Sequence, residues 1–74
     1  MTFGRYLCAE RQRRGLSQGA LAERAGLSRT HVSYIERGIR RPRLETIVLL
    51  ARGLGLTPAE LVGGWWDTEH STGS

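Results

Sequence analysis

Glycines at positions 15, 26, 38 and 55 cut this chain into segments too short to be stable alone. Each follows a stretch of helical character, as a residue that closes a helix should. Phe3 to Arg14 carries apolar residues at 3, 6 and 7 and stops at Gly15. Ser17 is an N-cap for a second helix, Gln18 to Ala25, with Leu21 and Ala22 facing inward. Ser28 caps a third, Arg29 to Arg37, where Val32 and Ile35 lie one turn apart. Leu44 to Leu54 repeats apolar residues at 44, 47, 48, 51 and 54, a 3.6-residue period. Leu49 falls on the far side of that stripe and is expected to be exposed. Thr57-Pro58-Ala59-Glu60 is a capping box with proline at the first helical position. It predicts a short fifth helix over Pro58 to Val62, broken by Gly63-Gly64. No strand alternation or internal repeat appears. The expected fold is all-α: a five-helix domain over residues 1–64, then a tail over 65–74 with the pair Trp65-Trp66 and the polar end Ser71-Thr72-Gly73-Ser74.

The function classes that survive are few. One cysteine, Cys8, cannot form an internal disulfide, and no Cys/His cluster has metal-ligand spacing. Cys8 reads as a quiet small residue on the first helix. No apolar run reaches the ~18 residues of a membrane span. No charged-then-apolar leader opens the chain, so a cytoplasmic location is expected. There is no nucleophile–base pair, metal set or phosphate-cradling glycine loop, so neither an enzyme nor a cofactor is expected.

The net charge of +4 is unevenly spread. Residues 1–43 hold ten arginines against three glutamates, a net of +7. Residues 44–74 hold Arg52 against Glu45, Glu60, Asp67 and Glu69, a net of −3. The first half is built to meet an anion. Every basic side chain is arginine, which suits bidentate phosphate and guanine contacts, although a GC-rich genome would give the same bias. An anionic membrane would need a long basic amphipathic helix, and none is present.

The second and third segments carry the functional signal. Gly26, a short turn and the N-cap Ser28 separate them, which is the spacing of a helix-turn-helix. On the third segment Val32 and Ile35 point inward at 100° per residue. Arg29, Thr30, Ser33 and Arg37 lie opposite, with Tyr34 at the edge. That outer set contains no acid and lies beside the basic loop Ile39-Arg40-Arg41-Pro42-Arg43. Such a face fits the DNA major groove. A cation at a helix start opposes the dipole there, which favours a functional reason for Arg29. His31 lies between Val32 and the neighbouring helices and reads as a structural residue. Tyr34 has two readings, packing on the sugar–phosphate backbone or shielding the core edge.

Several stretches together resemble the phage-repressor (XRE-type) helix-turn-helix family: Arg14-Gly15-Leu16-Ser17-Gln18, Leu21 through Arg29, Ile35-Glu36-Arg37-Gly38, Arg41-Pro42, Leu44-Glu45-Thr46 and Ala51 through Leu56. The resemblance spans roughly residues 3 to 62. It implies a five-helix repressor-like domain that binds palindromic double-stranded DNA as a homodimer. It also implies residue roles. Arg29, Thr30, Ser33 and Tyr34 match positions that face bases. Gln18, Ser28, Arg37, Arg40, Arg41 and Arg43 match positions that grip phosphate. Arg11 and Glu36 match a buried ion pair between the first and third helices. The run Arg29-Thr30-His31-Val32-Ser33 also resembles the small controller proteins of restriction–modification systems.

The chain departs from the family pattern in places. Gly19-Ala20 stands where acids are common, so a capping box is missing there. Arg43 replaces a common serine N-cap. Glu10 stands where an apolar residue is usual, so the first helix is expected to pack less fully. The leftover apolar residues Leu49, Leu56, Val62, Trp65 and Trp66 are candidates for a dimer seam. The tryptophans could instead cap their own subunit's core. The leading expectation is an operator-binding repressor. The alternative is an antitoxin or restriction–modification controller whose acidic C-terminal half binds a protein, with a toxin or RNA polymerase as the partner.

Overall fold

The computed structural model describes residues 1–70. Five helices follow one another: α1 (Phe3–Arg13), α2 (Gln18–Ala25), α3 (Arg29–Glu36), α4 (Leu44–Leu54) and α5 (Pro58–Glu69). Among the described residues there is no strand. The residues Ser71 to Ser74 of the expected polar tail lie outside the described range.

Side-chain caps begin four of the five helices. Thr2, Ser17, Ser28 and Thr57 accept from the backbone N–H groups of Arg5, Ala20, His31 and Glu60. At Thr57 the capping box is complete, because Glu60 Oε1 accepts from the Thr57 N–H at 2.8 Å. Gly26 (φ 72°) lets the chain turn sharply from α2 into α3.

The core is one cluster. Leu7, Leu21, Val32, Ile35, Leu50 and Leu61 are fully buried. α2 lies against both α3 and α4, α1 against α3, and α5 against α4. Two glycines permit these approaches. A Cβ on Gly4 would stand 2.3 Å from the Ile35 carbonyl oxygen, so α1 can meet the end of α3 only with glycine there. A Cβ on Gly53 would stand 2.9 Å from Leu21 Cδ1 and 3.3 Å from the Ala25 nitrogen, so α4 packs tightly on α2 there.

Three expectations need correction. First, α4 buries only part of the stripe 44/47/48/51/54: Ala51 and Leu54 are buried and Ile47 packs against the core, but Leu44 and Val48 do not. Its buried residues are Thr46, Leu50, Ala51, Gly53 and Leu54. Leu44 and Val48 are 72% and 42% exposed, and Leu49 is half-buried against the core rather than exposed. The helix is apolar around much of its circumference, so periodicity alone could not choose the inner face; the contact of Gly53 with α2 does.

Second, Gly63-Gly64 does not end the last helix. α5 continues through both glycines and the tryptophan pair to Glu69. Gly64 is a packing residue: a Cβ there would stand 2.1 Å from the Tyr6 hydroxyl. Trp65 then reaches back to the start of the chain. Its Nε1 donates to the Met1 carbonyl at 3.1 Å, and its ring meets Phe3 edge-on at 6.1 Å. Third, Glu10 does not loosen α1. It is buried and paired with Arg13 at 3.0 Å and with Arg14 one turn on.

Candidate nucleic-acid interface

The site begins with what holds α3 in place. Glu36, at its last turn, is buried. Arg11 on α1 grips it with two hydrogen bonds, Nε to Oε2 at 2.7 Å and Nη2 to Oε1 at 3.0 Å. Gln18, the first residue of α2, donates its Nε2 to the same Oε1 at 3.0 Å. Arg11 also donates Nη1 to the Leu16 carbonyl at 2.7 Å, in the turn before α2. One carboxylate therefore ties together α1, α2 and α3. Burial by itself would raise the pKa of Glu36. The hydrogen bonds from Arg11 and Gln18, with the Arg11 charge, outweigh that and hold it below the ordinary carboxylate value. It stays ionised at neutral pH.

Opposite this anchor, α3 presents its outer face. Arg29 and Thr30 are exposed; Ser33 and Tyr34 are half-buried. With Gln18 they share one shallow depression between the starts of α2 and α3. A second depression brings Ser28, His31 and Arg40 against Thr30 and Tyr34. Ser28 Oγ accepts from the His31 N–H at 3.0 Å as the helix cap, which leaves its own O–H free to donate. Neither α2 nor α3 has an acid in its first turn, so the positive ends of both helix dipoles are left for an outside anion. Arg37 sits over the Tyr34 ring at 5.6 Å, a cation–π contact. Arg37, Arg40 and Arg41 are exposed along the loop after α3, and Arg43 stands at the N-cap of α4 with no side-chain capping bond.

The dimer candidates separate. Leu49, Leu56 and Trp65 pack against their own chain's core. Val62 and Trp66 are exposed. Leu44 and Val48, assigned by periodicity to the core, join them on the surface. Four of the six exposed large apolar residues thus form two i,i+4 pairs, 44/48 on α4 and 62/66 on α5, each on one helix face; Met1 and Ile39 are the other two. The pairing of Glu10 was legible from Arg13 and Arg14 three and four residues on, a signal read past because an apolar residue was expected.

Among the described residues no His/Cys/Asp/Glu group could hold a metal ion, and no single helix is long and apolar enough to cross a membrane. A braced short helix with a polar, acid-free outer face and an arginine loop beside it defines a DNA-binding helix-turn-helix domain. A family model described as Helix-turn-helix matches residues 9–61. The immunity repressor protein of Bacillus phage phi105 is 41% identical over 63 residues, 85% of this chain and 44% of that repressor. The chain thus spans less than half the length of that relative. The uncharacterized HTH-type transcriptional regulator y4dJ of Sinorhizobium fredii is 40% identical over 62 residues, 84% of this chain and 80% of that protein. Among solved structures, the restriction-modification controller protein C.AhdI from Aeromonas hydrophila superposes with a TM-score of 0.76 at 44% identity, over 80% of this chain and 89% of that one. This chain belongs to the phage-repressor (XRE-type) helix-turn-helix family.

Proposed function

We propose that the protein is a cytoplasmic, sequence-specific transcriptional regulator that occupies a palindromic operator as a homodimer. The observation that carries this reading is the two-sidedness of α3. Its end is fixed to α1 and α2 through Glu36, while Arg29 and Thr30 project into solvent. Arg29, Thr30, Ser33 and Tyr34 face base edges in the major groove. Gln18, Ser28, Arg37, Arg40, Arg41 and Arg43 hold phosphates on either side. One such helix reads only a few base pairs; two helices about 34 Å apart read a palindrome. The exposed pairs Leu44/Val48 and Val62/Trp66 supply the apolar surface for a twofold seam. The likeness to C.AhdI, at 44% identity, favours a controller role within this reading; a restriction–modification gene pair beside the gene would mark it.

Operator binding measured against salt and against random DNA tests the proposal. With about four phosphates per subunit, the log–log salt slope is expected near −7, and a slope shallower than about −4 counts against arginine anchoring. Arg29→Ala should relax sequence preference, costing about 1–3 kcal/mol on the operator and little on random DNA. Arg41→Ala should weaken both equally. If the two variants behave alike on both DNAs, this division of labour is wrong.

A further inference from the structure

A groove of about 700 Å³ runs between the start of α1, the α3–α4 loop and the middle of α5, adjoining the outer face of α3, with which it shares Arg37 and Arg40. That volume is within the range of small-molecule sites. Phe3, Ile47, Val62 and Trp65 give it apolar walls, Val62 being shared with the proposed seam. Trp65 is positioned there by its bond to the Met1 carbonyl and its edge contact with Phe3. Arg5, Arg37, Arg40 and Arg41 also line it. Among the described residues none of these four has a carboxylate within salt-bridge distance. The one acid on the lining, Glu36, has both oxygens taken by Arg11 and Gln18. An apolar trough edged by unneutralised guanidinium groups is complementary to a molecule with an apolar body and a single anionic head. A DNA phosphate would satisfy the arginines and leave the apolar walls wet.

We propose that this groove binds a small amphiphilic carboxylate, whose head occupies the α3–α4 loop arginines and so competes with DNA for them. The consequence for DNA rests on the regulatory reading above; the binding itself does not. Arg37, Arg40 and Arg41 are also the residues assigned to phosphate, so a carboxylate paired with them removes positive charge from the DNA-facing surface. Linkage makes the antagonism mutual: operator DNA weakens the carboxylate by the same factor as the carboxylate weakens the operator.

The test uses the whole chain, labelled with nitrogen-15 and titrated with decanoate below its micelle threshold. The two tryptophan indole N–H resonances report separately. The Trp65 resonance should shift saturably while that of Trp66, outside the groove, stays in place. Decyltrimethylammonium, with the same tail and the opposite charge, should bind about tenfold or more weaker. Arg5→Glu, at an exposed position with no assigned DNA role, should keep the folded spectrum and lose decanoate binding about tenfold. Saturating decanoate should raise the operator Kd about tenfold. The proposal is overturned if Trp65 does not respond, or if both amphiphiles shift it alike. It is equally overturned if Arg5→Glu binds as well as the parent. A Trp65 shift that follows protein dilution instead of decanoate would assign the groove to a second copy of the chain and overturn it too. Saturable binding with an unchanged operator Kd would overturn the competition. Failure of the chain to bind any DNA would remove the regulatory reading and leave the resonance titration to judge the groove.

Discussion

All five helices share one apolar core, but the joints of the first three carry an ionic network that those of the last two lack. α1, α2 and α3 meet at a single buried carboxylate with three donors pointing at it. α4 and α5 pack within the apolar cluster that includes Leu50, Leu54 and Leu61, and among the described residues no buried ion pair joins them. Their free surfaces differ in the same sense: unpaired arginines on the first part, exposed Leu44, Val48, Val62 and Trp66 on the second. Apolar packing is non-directional and supplies most of the folding free energy. Hydrogen-bonded charge is directional and, once desolvation is counted, adds little net stability over an apolar replacement. The ionic joint lies under α3, the helix proposed to read base edges, where angle would matter most. The greasy joint lies where area matters more than angle.

Removing the carboxylate is the most damaging way to break that contrast. Glu36→Ala strands the Arg11 guanidinium in the interior and should cost about 3–5 kcal/mol in urea unfolding, a large share of a small domain's stability. Arg11→Met with Glu36→Leu should recover most of that loss while leaving operator affinity impaired. Full recovery of both would show that the network does not set the pose of α3. The same joint predicts acid lability. Glu36 and Glu10 both have folded pKa values below their ordinary 4.5, Glu36 for the reasons given and Glu10 because the Arg14 and Arg13 contacts outweigh its burial. Their stabilisation is complete above the unfolded-state value and is lost as pH falls through the folded ones. Denaturation midpoints measured from pH 6 down to about pH 2 should fall in that window, and less steeply in the double variant.

The same split explains what could be read without coordinates. Helix starts and stops, the end of α5 excepted, were legible because caps are local: Ser17, Ser28, Thr57 and the glycines 15, 26, 38 and 55 act within four residues of themselves. The two faces of α3 were legible because Val32 and Ile35 are its only aliphatic residues. The Arg11–Glu36 pair came from family resemblance, since nothing local links residues on different helices; the Gln18 bond to Glu36 Oε1 shows why a glutamine stands there. The inner face of α4 was not legible, because a helix apolar on several sides is oriented by its neighbours. Gly64 was misread for a related reason: its low helix propensity is local, whereas the Tyr6 hydroxyl that requires it is remote in sequence.

Adjacent glycines on α5 sharpen that last point with a smaller effect. Gly64→Ala drives a methyl into the Tyr6 hydroxyl and should cost about 1–3 kcal/mol, because the ring is buried and cannot swing away. Tyr6→Phe in the same chain should return part of that cost. Gly63 has open space around its Cβ position, so Gly63→Ala should stabilise by up to about 1 kcal/mol through helix propensity. Opposite signs at neighbouring positions, read by thermal unfolding, are what a continuous α5 requires. If both alanines stabilise, α5 does not pack on Tyr6 as described.

Arg43 sets the two materials against each other at one residue, with the smallest effect of the series. It begins α4, yet makes no capping bond, whereas Thr2, Ser17, Ser28 and Thr57 all cap their helices. A cation there also faces the positive end of the helix dipole. Arg43→Ser should therefore stabilise the fold by about 1 kcal/mol, raising Tm by about 4–8 °C for a domain of this size. If Arg43 holds a phosphate, the same change should weaken operator and random DNA alike and reduce the salt slope by about one per lost contact. Stability and affinity then move in opposite directions in one variant. A more stable protein with unchanged DNA binding would mean that Arg43 opposes folding without serving the interface, and the arginine part of the phosphate grip would shrink to Arg37, Arg40 and Arg41.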